Sequence, residues 1–291
     1  MFSGSYVAIV TPFRNNKVDY KKLEELVEFQ VKNGTAGIIP CGTTGESATL
    51  NYEEHEKVIE TVVKCTDGRV QVIAGTGSNN TAEALELTAF AKKAGVDAVL
   101  IVSPYYNKPT QRGLYYHYKK INDSIDIPIV IYNIQSRTAV NIEPETFAKI
   151  VKDCKNVVAV KESSGSLEQM TKIKMLCSKL DILSGDDALT LPLMSIGGTG
   201  VISVAANIVP KDVSELTGAY LKGNLKKAQE LHYKLFPLIK AMFLETNPIP
   251  VKTAMGLMKL CSDELRLPMC PMDENNLSKL KKELRDYGLI K

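Results

Sequence analysis

A lysine at the end of an apolar run is the residue in this sequence with the clearest chemical use. Lys161 closes the run Val157–Lys161 and is followed by Glu-Ser-Ser-Gly. Such a run is typical of a strand buried on both faces. Lost hydration disfavours the ammonium form of an amine, and a neutral amine can form a Schiff base with a carbonyl compound. A lone lysine more often keeps its head group in water. Whether Lys161 is a buried reactive amine or a solvated side chain therefore depends on the rest of the chain.

Short apolar runs alternate with amphipathic stretches and predict the frame that holds Lys161. Helix patterns begin at capping positions such as Asn51 and Asn80, each with a glutamate three residues later. Eight alternating units predict a (β/α)8 TIM barrel. A doubly wound open sheet is the alternative, and the count of eight, the number that closes a barrel, favours the barrel. The predicted strands are Ser5–Val10, Gly37–Pro40, Val70–Ala74, Ala98–Val102, Ile127–Tyr132, Val157–Lys161, Asp181–Ser184 and Gly200–Val204.

The last quarter of the chain is predicted to be helical. Residues 1–222 are predicted to form the barrel, and residues 223–291 a C-terminal helical extension with helices over Asn224–Leu244, Val251–Leu260 and Glu274–Tyr287. No linker separates the two parts, so we expect one continuous body.

Composition excludes several classes of function. The chain has 291 residues and a net charge of +3, without basic stretches interleaved with aromatic residues, so no nucleic-acid partner is expected. No apolar run reaches the ~18 residues of a membrane span, and no signal peptide is recognised. The six cysteines form no CxxC pair, which favours reduced thiols in a cytoplasmic protein. Each of the three histidines is expected on a helix surface, and neither a metal nor a cofactor is predicted.

Chemistry in a barrel of this kind lies where the strands end. The second predicted strand is followed by a Gly-Thr-Thr-Gly loop, the fourth by a Pro-Tyr-Tyr loop and the fifth by a Ser-Arg-Thr stretch. Hydroxyls can pass protons, arginine can hold a carboxylate, and backbone N–H groups of a glycine-rich loop can bind an anion. A phosphate-binding barrel is the second candidate, with the glycine-rich stretch Gly197–Gly200 as its anion site. That stretch precedes strand eight, so it lies at the face of the barrel opposite the strand ends.

Several motifs in order resemble the dihydrodipicolinate synthase family of class I pyruvate-dependent aldolases, almost from end to end. The double threonine, the Pro-Tyr-Tyr loop and the Ser-Arg-Thr stretch favour this family over sialic-acid lyases and sugar-acid aldolases. The matching motifs are Val10–Phe13, Gly42–Ser47, Val102–Pro109, Tyr132–Asn133, Ser136–Thr138, Val160–Glu162, Ser184–Asp187 and Glu245–Lys252.

The resemblance implies a reaction and a role for each matching residue. Pyruvate would form the Schiff base with Lys161, and L-aspartate 4-semialdehyde would be the second substrate, in the synthesis of diaminopimelate and lysine. Protons would pass from Tyr132 through Thr43 to Tyr106, which reaches the site from a neighbouring subunit. The carboxylates would be held by Thr44 and by Arg137. Gly185 and Ile202 would line the pocket.

The same resemblance implies assembly and regulation. A homo-oligomer is expected, as a tetramer built from two dimers. Relatives bind L-lysine as an inhibitor between subunits, and Tyr52 stands here where sensitive relatives carry histidine. The positions that match this pocket are Ser47, Ala48, His55, Asn79, Glu83 and Tyr105.

Two alternatives remain open, and two positions depart from the family pattern. A related aldolase could use another acceptor aldehyde, although a sugar would call for hydroxyl partners in place of Arg137. A non-catalytic binding protein would be expected to have lost one of the reactive residues. Gln135 replaces a proline and Ala139 a glycine of many relatives, and Gln135 is expected to loosen the loop that aims Arg137.

Overall fold

Eight parallel strands close into a barrel in the computed structural model, which describes residues 2–291. The first strand pairs with both the second and the eighth, so no edge strand is left and the predicted TIM barrel is confirmed. All eight predicted strands are present. They are β1 (Gly4–Ala8), β2 (Gly37–Ile39), β3 (Gln71–Gly75), β4 (Ala98–Val102), β5 (Ile129–Asn133), β6 (Val157–Glu162), β7 (Asp181–Ser184) and β8 (Gly200–Ser203).

Helices follow the strands and then continue past the barrel. A short hairpin, Phe13–Arg14 with Lys17–Val18, lies between β1 and the first helix. The helices are α1 (Tyr20–Lys32), α2 (Tyr52–Thr66), α3 (Thr81–Ala94), α4 (Gln111–Ser124), α5 (Gln135–Thr138), α6 (Pro144–Asp153), α7 (Leu167–Leu176), α8 (Thr190–Ser195), α9 (Pro210–Leu221), α10 (Leu225–Ala241), α11 (Ile249–Leu257) and α12 (Glu274–Tyr287).

The capping residues predicted from the sequence begin their helices, with one difference in detail. Asn51 and Glu54 form the full capping box of α2. Asn80 caps α3 through the N–H of Ala82. The Glu83 carboxylate does not complete a box there, because it accepts hydrogen bonds from the Ser78 hydroxyl and the Asn80 side-chain amide.

Alternate residues of each strand point into the barrel and fill it. The interior cluster includes Tyr6, Leu100 and Ala159, together with Tyr132 and Ile202 near the carboxyl ends of their strands. Because side chains alternate along a strand, Lys161 lies on the same inner face as Ala159. The apolar interior below it therefore isolates the amine from water on that side.

The C-terminal helices pack on the outside of the barrel and return to its mouth. Helix α10 packs on α9, and α12 packs on both α10 and α11. Residues 242–248 join α10 to α11 and bring Asn247 into a buried position, 5% exposed. The domain boundary at residue 222 stays a prediction.

Two of the three histidines do not lie on the surface, so that expectation is wrong for them. His55 and His117 lie on the inner faces of α2 and α4 and are 7% and 5% exposed. His55 Nε2 pairs with the Gly75 carbonyl at 2.8 Å, and His117 Nδ1 with the Thr81 hydroxyl at 2.9 Å. Burial lowers the pKa of both rings, that of His117 to about 4. Among residues 2–291, every helix is too short or too polar to cross a bilayer.

Candidate active site

A lysine and a tyrosine lie side by side at the mouth of the barrel. Tyr132 and Lys161 are paired in register across β5 and β6, and the Lys161 Nζ lies 4.1 Å from the centroid of the Tyr132 ring. Their exposures are 5% and 6%. The pair thus combines a buried amine with a phenol, an arrangement that suits Schiff-base chemistry.

Space beside the amine is kept open by a glycine. A Cβ on Gly185 would lie 3.1 Å from Lys161 Cε and 1.8 Å from the Ser163 hydroxyl oxygen, so no larger residue fits without displacing Ser163. Ile202, at the end of β8, belongs to the same interior cluster as Tyr132. Both predicted lining residues therefore lie at the mouth of the barrel with the amine.

The loop after β2 presents two threonines in a tight turn. The Glu46 N–H donates to the Thr43 carbonyl at 3.0 Å, and the Thr11 hydroxyl donates to the Gly45 carbonyl at 2.7 Å. Thr44 is buried, and its hydroxyl oxygen accepts a hydrogen bond from the Asn247 side-chain amide at 3.0 Å. Thr43 is half-buried. The loop is thus held on both sides while Thr43 stays accessible.

A guanidinium faces this loop across a cavity of about 590 Å³. Arg137 lies on α5 and is exposed, and its Nη2 donates to the Asn247 carbonyl at 3.2 Å. Thr43, Arg137 and Asn247 all line the cavity. The cavity therefore carries a hydroxyl, an amide and a fixed positive charge, which suits a ligand with a carboxylate.

Asn247 is a site residue that sequence reasoning missed. It bonds Thr44 through its side chain and Arg137 through its carbonyl. The Glu245–Lys252 motif contained it, but nothing in the sequence placed a residue from beyond the eighth strand at the mouth. Its position follows from the return of the chain after α10, which local patterns do not reveal.

Tyr106 does not join the Tyr132–Lys161 pair within this chain. It is 90% exposed and adopts a left-handed backbone conformation with φ of 72°. The predicted relay from Tyr132 through Thr43 to Tyr106 is therefore not assembled by one chain. Large exposed aromatic side chains are enriched at protein interfaces, which fits a tyrosine that acts on another subunit.

Five of the six residues matched to a lysine-binding pocket line one cavity. Ser47, Ala48, His55, Glu83 and Tyr105 line the cavity that also reaches Arg137. Asn79 is not part of this lining, and its carbonyl accepts a hydrogen bond from the Asn107 side chain at 2.9 Å.

A buried polar network lies behind the lysine and the tyrosine. Glu162 follows Lys161, and Asn133 follows Tyr132, so both point outward from the barrel. The Asn133 amide donates to the Glu162 carboxylate at 3.1 Å and to Asn141 at 2.9 Å. Gln169 donates to Asn141 at 3.1 Å. Burial raises the pKa of Glu162, against the effect of these donors. The network fixes the ends of β5 and β6 relative to each other.

The helix that carries Arg137 ends in a strained residue. Ala139 has φ of 57° in the left-handed region, and its N–H donates to the Gln135 carbonyl at 2.9 Å. We expect Ala139→Gly to raise the free energy of unfolding by up to about 1 kcal/mol, because glycine adopts this conformation without a Cβ clash. Urea unfolding measures the change. Ala148→Gly within α6 is the control and should lower stability; an equal loss in both variants would contradict the prediction.

No group of three histidine, cysteine, aspartate or glutamate side chains in residues 2–291 is arranged to hold a metal ion. The polar groups at the carboxyl ends of the strands are instead the amine and phenol of Lys161 and Tyr132, and the hydroxyl, amide and guanidinium that line the cavity. The lining of that cavity does not include Lys161 or Tyr132. These polar groups suit covalent and proton-transfer chemistry on a small acid.

Comparisons with known proteins identify the family of this chain. Residues 1–287 match the model of the Dihydrodipicolinate synthetase family. The 4-hydroxy-tetrahydrodipicolinate synthase of Endomicrobium trichonymphae is 59% identical, over the full length of both chains. A crystal structure of dihydrodipicolinate synthase from Aquifex aeolicus is 53% identical with a TM-score of 0.97, covering 99% of each chain. A lysine-bound structure of the enzyme from Cyanidioschyzon merolae is 39% identical with a TM-score of 0.96, also covering 99% of each chain. The chain belongs to the dihydrodipicolinate synthase family.

Proposed function

We propose that this chain is a lyase of the class I aldolase type, a 4-hydroxy-tetrahydrodipicolinate synthase. It condenses pyruvate with L-aspartate 4-semialdehyde, in the first committed step of diaminopimelate and lysine synthesis. The observation that carries the proposal is the buried Lys161 amine, paired with Tyr132 at the end of β6. Family membership and the names of the relatives support the choice of substrates.

The reaction begins with a bond between Lys161 Nζ and the keto carbon of pyruvate. Loss of water gives the imine, and loss of a proton from the methyl carbon gives an enamine. The enamine carbon then attacks the aldehyde carbon of the semialdehyde, whose oxygen takes up a proton. The amino group of the bound semialdehyde displaces Lys161 from the keto carbon, which closes the ring and releases the free amine.

Each proton in these steps needs a carrier beside the amine, and Tyr132 is placed for that role. Its ring lies against the Lys161 Nζ, and its hydroxyl would connect to solvent through Thr43. The turn at Thr43 and Thr44 holds the pyruvate carboxylate, and Arg137 holds the carboxylate of the semialdehyde. Gly185 leaves room for the imine, and Ile202 lines the pocket.

The relay is completed by a second copy of the chain. The side chain of Tyr106 is exposed in a single subunit, and its proposed role is to enter the site of a neighbour. Catalysis therefore needs at least a dimer, and a tetramer of two dimers is the assembly that we propose. The cytoplasmic location expected from the sequence stays a prediction.

The cavity beside Arg137 offers a place for regulation by L-lysine. Glu83 and the ring of Tyr105 line it and could receive an ammonium group. The relative from Cyanidioschyzon merolae was solved with lysine bound. We propose that lysine binds here, at Ser47, Ala48, His55, Glu83 and Tyr105 with the nearby Asn79. Initial rates at rising lysine concentration test this; a flat response up to millimolar lysine would refute it.

A coupled assay identifies the acceptor aldehyde. With pyruvate present, turnover is expected with L-aspartate 4-semialdehyde and not with N-acetylmannosamine. The opposite preference would favour the sialic-acid lyase alternative. Pyruvate binding without turnover of any aldehyde would favour a binding protein.

Removal of the Arg137 charge should weaken binding of the semialdehyde. We expect Arg137→Ala to raise its Michaelis constant by about 10-fold to 100-fold, because a charge-assisted hydrogen bond contributes about 1.5–3 kcal/mol. The Michaelis constant for pyruvate should change much less. Arg112→Ala, an exposed arginine at the start of α4, is the control. An equal effect on both substrates would mean that Arg137 acts on the site as a whole.

A further inference from the structure

An ion pair buried between the barrel and the C-terminal helices lies directly behind the Thr43–Thr44 turn. Lys252 Nζ lies 2.7 Å from Glu46 Oε1, and the two side chains are 0% and 2% exposed. Lys252 also donates to the Glu264 carbonyl at 2.7 Å and lies 4.1 Å from the centroid of the Phe13 ring. Burial lowers the pKa of Lys252, and the Glu46 carboxylate opposes that shift. The catalytic steps above do not use this pair.

Glu46 is itself the residue that closes the turn. Its φ of 52° lies in the left-handed region, which residues with a Cβ rarely adopt. Its N–H donates to the Thr43 carbonyl, while its second carboxylate oxygen accepts from the backbone N–H of Arg266 at 3.2 Å. Both carboxylate oxygens are thus held by residues beyond the barrel, and they hold the backbone of the turn in an unfavoured conformation.

A second tether from the same region reaches the other threonine. The Asn247 side-chain amide donates to the Thr44 hydroxyl oxygen, and Asn247 lies two residues before α11, the helix that carries Lys252. One segment of chain therefore holds the turn at two points. Movement of this segment relative to the barrel would move both threonines.

We propose that Glu46 and Lys252 are positioning residues for the pyruvate carboxylate, and that the C-terminal helices set keto-acid affinity through them. The inference rests on the proposed function. If the pair only stabilised the fold, its removal would lower the free energy of unfolding. The affinity of the folded molecules for pyruvate would then stay the same. Affinity for pyruvate, measured separately from stability, distinguishes the two roles.

The double variant Glu46→Gln/Lys252→Met removes both charges and keeps similar side-chain volumes, so the fold is expected to persist. We expect its Michaelis constant for pyruvate to rise by about 10-fold to 100-fold, because small displacements of binding groups have effects of this size. The constant for the semialdehyde should change less. Glu46→Asp, which keeps the charge but shortens the side chain, should show a smaller rise in the pyruvate constant.

The control is Lys234→Met, which removes an ion pair between α10 and α9. Lys234 Nζ lies 2.6 Å from the Asp212 carboxylate, and neither residue contacts the turn. This variant loses a link between the C-terminal helices and the barrel. Its Michaelis constant for pyruvate should match that of the parent.

Amide hydrogen exchange without substrate tests the same inference independently of activity. Peptides covering 42–50 should exchange faster in the double variant than in the parent, and those covering 98–110 should not. The inference is wrong, and the proposed function stands, if the parent turns over pyruvate while the double variant keeps the parental affinity for pyruvate and the parental rate of amide exchange in residues 42–50. If the parent forms no imine with pyruvate, the proposed function fails, and the exchange alone decides whether the pair positions the turn.

Discussion

Lys161→Ala is expected to lose at least about 10³-fold in kcat, because removing the covalent nucleophile of an enzyme costs up to about 10⁶-fold. No other amine can take over readily: the Lys252 Nζ is engaged by Glu46 and by the Glu264 carbonyl. The fold should persist, since alanine fits an interior lined by Ala159 and Ile202. The measurement is kcat in the coupled assay at saturating pyruvate and semialdehyde.

Lys155→Ala is the matched control for this loss. Lys155 lies just before β6, at the opposite end of this strand from Lys161, and its side chain is 81% exposed. Its variant should retain the parental rate. Full activity in Lys161→Ala, or an equal loss in both variants, would remove the basis for a Schiff base at this position.

Tyr132→Phe is expected to lower kcat by about 10²-fold to 10⁴-fold, the usual contribution of a positioned proton carrier. The ring stays beside the Lys161 amine, so packing and the contact between amine and ring are kept. Only the hydroxyl is removed. The measurement is kcat at saturating substrates, with Lys161 labelling by pyruvate and borohydride followed in parallel.

Tyr6→Phe provides the comparison, because Tyr6 belongs to the same barrel interior but directs its hydroxyl to the end of the barrel where the strands begin. Its hydroxyl donates to Gln71, at the start of β3, and burial raises its pKa to about 12. Phenylalanine there should leave kcat unchanged. A Tyr132→Phe enzyme as fast as Tyr6→Phe would show that the phenol carries no proton in the rate-limiting step.

The barrel could be predicted because strand and helix periods are local properties of a sequence. Each strand buried on both faces reads as a continuous apolar run, and Asn51 marks the start of α2 through a capping box within four residues. Lys161 and Tyr132 end neighbouring strands, so their proximity follows once the strand order is known. This is why the proximity of Lys161 and Tyr132 could be predicted together with the fold.

Residues joined over long separations could not be predicted in this way. Asn247 contacts Thr44 across 203 positions of sequence, and Lys252 contacts Glu46 across 206. Their pairing depends on where the chain returns after α10, which no short pattern encodes. The burial of His55 could not be predicted for a related reason. Its imidazole lies on the inner face of α2 and forms a hydrogen bond with the end of β3, where an apolar residue would ordinarily pack.

The outward-facing network shows what the strand pattern could have revealed. Glu162 and Asn133 lie at positions that alternate with Lys161 and Tyr132, on the face covered by helices. Polar residues on a covered face imply partners, because a buried carboxylate without hydrogen bonds is costly. The identity of those partners, Asn141 and Gln169 among them, still required the structure.

Borohydride reduction in the presence of pyruvate, followed by peptide mass analysis, tests the central claim most directly. Reduction converts an imine into a stable secondary amine and marks the lysine that formed it. The account predicts that the label falls on Lys161 alone and requires pyruvate. A label on a different lysine, or no label while the enzyme turns over, would contradict it.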